Sequence, residues 1–231
     1  MKLNEIIHIV DGHLQLPVIT LAKKKRRVVL IGMMHIAPLV FFAEVSRRLF
    51  EYERAGYQVL REAIDPEPNL GSSDARRMHK RLMFKMAKLV RRLRDLKIGS
   101  QTDRIPIQAT WVSSDMATDQ ICREVPSLYN IDEMIRRIAR FDYAIENPKR
   151  WVKQAVIEPI LRGVEYEPHP VIVNRRDEIA ATSIIRHAEH DNVATYWGAA
   201  HIPGISQRLL DAGFTVESTD LLPTFALSDY E

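Results

Sequence analysis

Two histidines occupy the same place in two copies of one short pattern. Gly32-Met33-Met34-His35-Ile36 and Gly198-Ala199-Ala200-His201-Ile202 each close an apolar run, and a proline follows within three residues, at Pro38 or Pro203. A helical stretch then leads to Ala-Gly-aromatic-x-Val, at 55–59 and again at 212–216. Nine Gly and eight His among 231 residues give only about 0.3 such Gly-x-x-His pairs by chance, so a duplicated unit is the simpler account. An imidazole in such a place serves as a general base or a metal ligand. Glu62 lies near the end of the apolar run 57–64 and is placed to face the same crevice. His35, Glu62 and His201 make a two-His-one-carboxylate set suited to Zn²⁺, Mn²⁺ or Co²⁺, with positions open for water and substrate. The alternative keeps the residues without a metal: a histidine polarised by Glu62 activates water directly. The plainer readings are a hydrogen-bonded structural histidine and an ion-paired surface glutamate.

The elements that must position these groups follow from periodicity. Residues 28–34 form a continuous β-branched-rich run, the pattern of a strand buried on both faces. Pro38 opens a helix to about Arg54, and 57–64 reads as a second strand, giving a βαβ unit with parallel strands. Before it, 6–11 and 16–22 flank the hairpin signal Asp11-Gly12. After it come a Pro/Gly/Ser loop over Pro66–Ser73, a helix that Asp74 can cap, and helical patterns at 114–123, 131–145 and 148–162, punctuated by Pro126, Pro148 and Pro168/Pro170. Val171–Asn174 reads as a short extended piece, 177–189 as a helix, 192–197 as a strand, 203–211 as a helix and 214–218 as a last strand. The expected fold is a single α/β domain over 1–231, a mixed β-sheet core flanked by helices, with a mostly helical insertion at 72–165. Both histidines then fall just past strand C-termini, where open α/β sheets gather ligands. Gly32 and Gly198 allow close backbone approach there, and the following helix N-termini favour negative charge.

The chain resembles the TraB/PrgY/Tiki group, within a wider set that includes EreA-like esterases and ChaN-like proteins. The resemblance rests on Gly32-Met33-Met34-His35, on Glu62, on Arg176-Asp177-Glu178-Ile179-Ala180-Ala181, and on Gly198-Ala199-Ala200-His201-Ile202-Pro203-Gly204. It covers 28–64 and 171–219, and the last motif is the most specific. Met33 stands where the group usually has Thr, and Ala180 where it has Met or Leu. The resemblance implies an EreA/ChaN-like fold with both Gly-x-x-His motifs and the glutamate in one site. It implies a metal-dependent hydrolase of peptide or small-molecule ester bonds, with Mn²⁺ or Co²⁺ as metal. Arg176 would then stabilise an oxyanion or hold a substrate carboxylate. Glu44 is a further candidate for general base, whereas Asp177 and Glu178, at a helix start, read as helix-capping acids.

Bulk properties set the remaining bounds. Apolar residues make up 46% of the chain and charged residues 27%, with a net charge of +3, an ordinary globular composition. One cysteine, Cys122, excludes an internal disulfide and a Cys-rich zinc site and reads as a small buried filler. No apolar run reaches the roughly 20 residues that span a bilayer, and the expected location is the cytoplasm. Basic residues concentrate at Lys23–Arg27 and over 76–97, where Met78, Leu82, Met86, Leu89, Leu93 and Leu96 form an apolar stripe. That gives a rival from another class: a non-catalytic regulatory or binding protein whose basic helix grips nucleic acid or an anionic surface, neutralisable at Arg91, Arg92 and Arg94. Trp111, Trp151 and Trp197 read as core or pocket wall. A homo-oligomer is compatible with all of this.

Overall fold

The computed structural model describes residues 3–62, 73–126, 130–165, 169 and 171–230; the side chains of Asn4, Ala75, Thr118, Asp119, Cys122, Ile131 and Val171 lie outside the description, as do the loop expected before Ser73, Pro168 and Pro170. The chain is mixed α/β. It opens with helix α1 (Leu3–Ile6) and strands β1 (His8–Val10), β2 (His13–Lys23) and β3 (Arg26–Met33). Asp11 and Gly12 both take positive φ in the β1–β2 turn, as the hairpin signal requires. Strand β4 (Ile36–Pro38), helix α2 (Leu39–Arg54) and strand β5 (Gln58–Arg61) follow. The middle contributes α3 (Ser73–Arg94), β6 (Ile98–Ser100), α4 (Gln101–Arg104), β7 (Val112–Ser113), α5 (Thr118–Glu124), α6 (Ile131–Glu146), α7 (Pro148–Val152) and α8 (Glu158–Leu161). The last part holds α9 (Arg176–Ala188), β8 (Val193–Gly198), α10 (Ile202–Asp211) and β9 (Thr215–Ala226).

The sheet runs β1-β2-β3-β8-β5-β7, and β9 lies along β2. β8 is parallel to β3 on one side and to β5 on the other, while β2 is antiparallel to β3 and to β9. The duplicated units therefore place their first strands, β3 and β8, side by side at the centre. Their register is offset by one: Gly32 faces Trp197, and Met33 faces Gly198.

Alternation along β3 sorts the core into two layers. Val29 and Ile31 join Phe41, Phe42, Val45 and Leu49 of α2 and Leu89 and Leu93 of α3 on one face. Val28 and Leu30 join Ala180 and Ile184 of α9 and Ile202, Ile205 and Leu209 of α10 on the other. A strand covered on both faces reads as a continuous apolar run, which is why 28–34 lacks polar alternation. Both unit helices end alike. Gly56 (φ 82°) and Gly213 (φ 86°) take the left-handed conformation, and Tyr57 and Phe214 donate their N–H to Tyr52 and Leu209 carbonyls five residues back. That closure needs a residue without Cβ strain, so the Ala-Gly-aromatic repeat is a helix-stop device.

Three expectations change. Residues 171–175 are not extended; they form a π-helical turn continuous with α9. The last strand does not stop at 218 but runs to Ala226, because β2 offers it a full-length antiparallel partner. The stretch 72–165 is mostly helical but carries two short strands: β6 pairs with β4, and β7 joins the sheet edge beside β5. Along α3, Leu82, Leu89 and Leu93 are buried as the stripe requires, whereas Met86 is 38% exposed.

Candidate functional site

Arg176 begins α9, and its guanidinium is the hub of a buried cluster beyond the C-terminal ends of β5, β7 and β8. Nε donates to Asp115 Oδ1 at 2.8 Å, and Nη2 donates to Asp115 Oδ2 at 2.6 Å and to Glu62 Oε1 at 2.8 Å. Arg176 is 4% exposed, and the side chains of Asp115 and Glu62 are 0% and 3% exposed. Two carboxylates and one cation thus share a nearly dry site, an arrangement stable only while all three remain. The remaining nitrogen, Nη1, lies 3.1 Å from His201 Nε2.

That contact fixes the state of His201. Arginine only donates, so Nε2 must present a lone pair, and the proton sits on Nδ1. Nδ1 meets Asp177 Oδ1 at 2.6 Å, and Asp177 is 1% exposed. The ring also packs edge-on to Trp197, 5.3 Å between centroids, and the same indole lies 5.5 Å from the Arg176 guanidinium carbon. Trp197 is thus a wall of the site. The last glycine of the second motif explains how Asp177 reaches the imidazole. A Cβ on Gly204 would lie 1.9 Å from Asp177 Oδ2, so only glycine leaves room for the carboxylate.

Glu62 follows β5 and continues its pairing, donating its own N–H to the Tyr196 carbonyl at 3.2 Å. Its Oε2 accepts from Gly198 N–H at 2.9 Å and from Gln101 at 3.4 Å. Burial alone pushes the carboxyl pKa up. His35, Arg176, His201 and the Gly198 N–H together outweigh burial and hold it below the ordinary value of 4.5. Arg176 is correspondingly held even further above its usual range: burial opposes this, and the bonds and charges of Asp115 and Glu62 override it.

The structure gathers Glu62, Arg176, His201 and Gly198 directly, and His35 acts on Glu62 only through its charge. His35 is exposed, because the chain after Met33 does not enter a helix but crosses in β4, where the His35 carbonyl accepts from Gln101 N–H at 2.9 Å. The two glycines also differ. Gly198 has φ −47°, which any residue adopts, and a Cβ there would meet His201 and Glu62 only at ordinary contact distances of 3.5 and 3.7 Å. It keeps the floor between those side chains open. A Cβ on Gly32 would instead press on the Pro17 carbonyl of β2 at 3.0 Å, so Gly32 packs two strands together rather than cradling a ligand.

Glu44 is removed from the candidates. Arg47 and Arg48 bind it along the surface of α2 and draw its pKa down to about 2, too weak a base at neutral pH. Asp177 is not a capping acid but the partner of His201. Asp115 and Gln101 escaped the sequence reading, since both come from the middle stretch that carries no motif. The alternative of a metal-free histidine polarised by Glu62 keeps its histidine but changes its acid: His201 Nε2 lies 4.0 Å from Glu62, against 2.6 Å from Nδ1 to Asp177.

For a metal, Glu62 Oε1 and His201 Nε2 face each other across 4.0 Å, but Arg176 bonds to both. As arranged, the fixed cation of Arg176 takes the place a metal would need, and among the described residues no three His, Cys, Asp or Glu side chains converge as a ligand set. The basic helix α3 is partly neutralised by its neighbours: Lys85 pairs with Asp142, and Arg94 with Asp103 at 2.6 Å. No helix among the described residues is long and apolar enough to cross a membrane. Comparison with protein-family models, curated proteins and solved structures finds no match to this chain.

Proposed function

We propose that this chain hydrolyses an amide or ester bond, with His201 as general base. The observation that supports this best is the buried Asp177–His201–Arg176 array, which leaves the Nε2 lone pair facing a fixed cation at the strand ends. In this reading the substrate carbonyl oxygen displaces His201 Nε2 from Arg176 Nη1, and the freed Nε2 takes a proton from water, whose oxygen attacks the carbonyl carbon. The negative charge on the carbonyl oxygen is met by Arg176 Nη1, the guanidinium nitrogen that no carboxylate engages. Asp177 stabilises the imidazolium, which returns its proton to the leaving amine or alcohol. Glu62 and Asp115 hold Arg176 in place. Expected substrates are peptides or small esters, as in the TraB/PrgY/Tiki and EreA-like groups that the motifs resemble.

A second reading keeps a divalent metal, Mn²⁺ or Co²⁺ by resemblance or Zn²⁺, on His35, Glu62 and His201. The bond from Asp177 to His201 Nδ1 favours it, because metal-binding histidines are usually oriented in this way. It requires Arg176 to leave both Glu62 Oε1 and His201 Nε2. One experiment separates the two. Purified protein, with and without exhaustive chelation, is assayed on paired nitrophenyl esters and nitroanilides, and its metal content is measured. The first reading predicts hydrolysis that survives chelation and falls about a hundred- to ten-thousandfold in His201→Ala. Activity lost with the metal, and metal lost in both His35→Ala and His201→Ala, would replace it with the second. Undiminished hydrolysis in His201→Ala would refute both.

A further inference from the structure

The basic run Lys23–Arg27 has no part in the site above. It forms the β2–β3 turn, with Lys24 and Lys25 between the paired residues Lys23 and Arg26. This end of β3 is its N-terminus, about 23 Å from the catalytic end at the usual rise for an eight-residue strand. Beside the turn lies a cleft of about 660 Å³, the size of a small-molecule site. Its floor is apolar, from Ile185 and Ala188 of α9, beside Phe214, which is buried beneath Lys23 with Nζ 5.6 Å from the ring centroid. Its rim is the cationic turn, faced by a single carboxylate, Glu189.

Two details favour one kind of occupant. Lys24 has φ 56°, a left-handed conformation that glycine adopts more easily. That conformation closes the two-residue turn between β2 and β3 and leaves Lys24 and Lys25 at the rim of the cleft. The next cation along β3, Arg27, is bound to Glu217 at 2.7 Å, and Lys23 is tied to the Ala212 carbonyl at 2.6 Å. The accessible positive charge is thus one turn wide, too short a track for a long polyanion and matched to one anionic group. An apolar floor under it suits a hydrocarbon body.

We propose that this cleft binds a small amphipathic anion, an aliphatic carboxylate whose head group meets Lys24, Lys25 and Arg26 and whose chain lies along Ile185 and Ala188 and the Lys23 side chain over Phe214. The test uses the full chain, with 1-anilinonaphthalene-8-sulfonate as fluorescent probe and decanoate as competitor. Decanoate should displace the dye. Lys24→Gly should weaken decanoate about tenfold, the loss of one charged contact, while its melting temperature holds or rises because the turn is relaxed. Ile185→Asp should abolish binding. The proposal is overturned if decanoate fails to displace the dye or if both variants bind it as wild type does. It is equally overturned if inorganic phosphate or a DNA oligonucleotide displaces the dye as well as decanoate does, since the apolar chain would then contribute nothing, or if the protein sediments with phosphatidylglycerol vesicles and this is lost in Lys24→Gly, since the occupant would then be a membrane surface.

Discussion

The two Gly-x-x-His units begin alike and end alike, yet they bring their histidines to different surroundings. Both start on central parallel strands, and both helices stop with the same left-handed glycine and the same five-residue-back hydrogen bond. Between those points they diverge. After Gly198 the chain turns at once through a 3₁₀ turn, Ala199–His201, into α10, which folds His201 inward. After Met33 it instead pairs with β6 from the middle stretch, and His35 stays in solvent. A repeat in sequence therefore guarantees a repeated backbone frame, not a repeated chemical environment. What surrounds each frame decides whether an imidazole is hydrogen-bonded and buried, as at His201, or exposed and acting on Glu62 through its charge alone, as at His35.

The largest test of this asymmetry is catalytic. His201→Ala should lower kcat/KM on the best substrate about a hundred- to ten-thousandfold, whereas His35→Ala should cost less than about tenfold, as expected for a base against a charge that acts only by favouring ionised Glu62. Equal losses would erase the distinction between the units.

Next comes stability. Arg176→Met leaves Glu62 and Asp115 buried without a cation and should cost about 3–5 kcal/mol in urea unfolding. Arg47→Ala, on the helix of the first unit, removes only exposed pairs with Glu44 and Glu51 and should cost about 0.5 kcal/mol or less.

The glycines sharpen the contrast further. Gly32→Ala should destabilise by about 1–3 kcal/mol through its clash with Pro17, with activity per folded molecule retained. Gly198→Ala should change stability by about 0.5 kcal/mol or less but impair turnover, because its methyl group enters the space between Glu62 and His201.

The smallest effect is in pH. Glu62 has its folded pKa below the ordinary 4.5, so the unfolded chain binds more protons in the window just below that value. Its contribution to stability is present above about pH 4.5 and is lost as pH falls through the lowered folded pKa. Glu62→Gln should flatten the acid limb of a stability–pH curve, and His35→Ala should flatten it less.

Much of the frame was legible in the sequence. The hairpin at Asp11-Gly12, the doubly buried run at 28–34, the two unit helices and the approach of Glu62 to His201 follow from turn chemistry, periodicity and strand-end placement, whereas Arg176 stood out only through the motif that resembles the TraB/PrgY/Tiki group. Other features depend on partners remote in sequence. Asp115 and Gln101 are ordinary polar residues until β6 and β7 bring them to Glu62 and Arg176. Asp177 looks like a capping acid because acids at helix starts usually are, and only Gly204 reveals how close the second motif comes to it. The exposure of His35 was likewise illegible, because it is set by the bond of its carbonyl to Gln101 N–H, sixty-six positions away.

The most direct test is nitrogen-15 NMR of the histidine side chains near neutral pH. The expected result is a His201 ring protonated on Nδ1, with Nε2 accepting from Arg176, and an Nδ1 proton that is protected from exchange in the wild type and exchanges faster in Asp177→Ala. A His201 that carries its proton on Nε2, or an Nδ1 proton equally protected in Asp177→Ala, would contradict it.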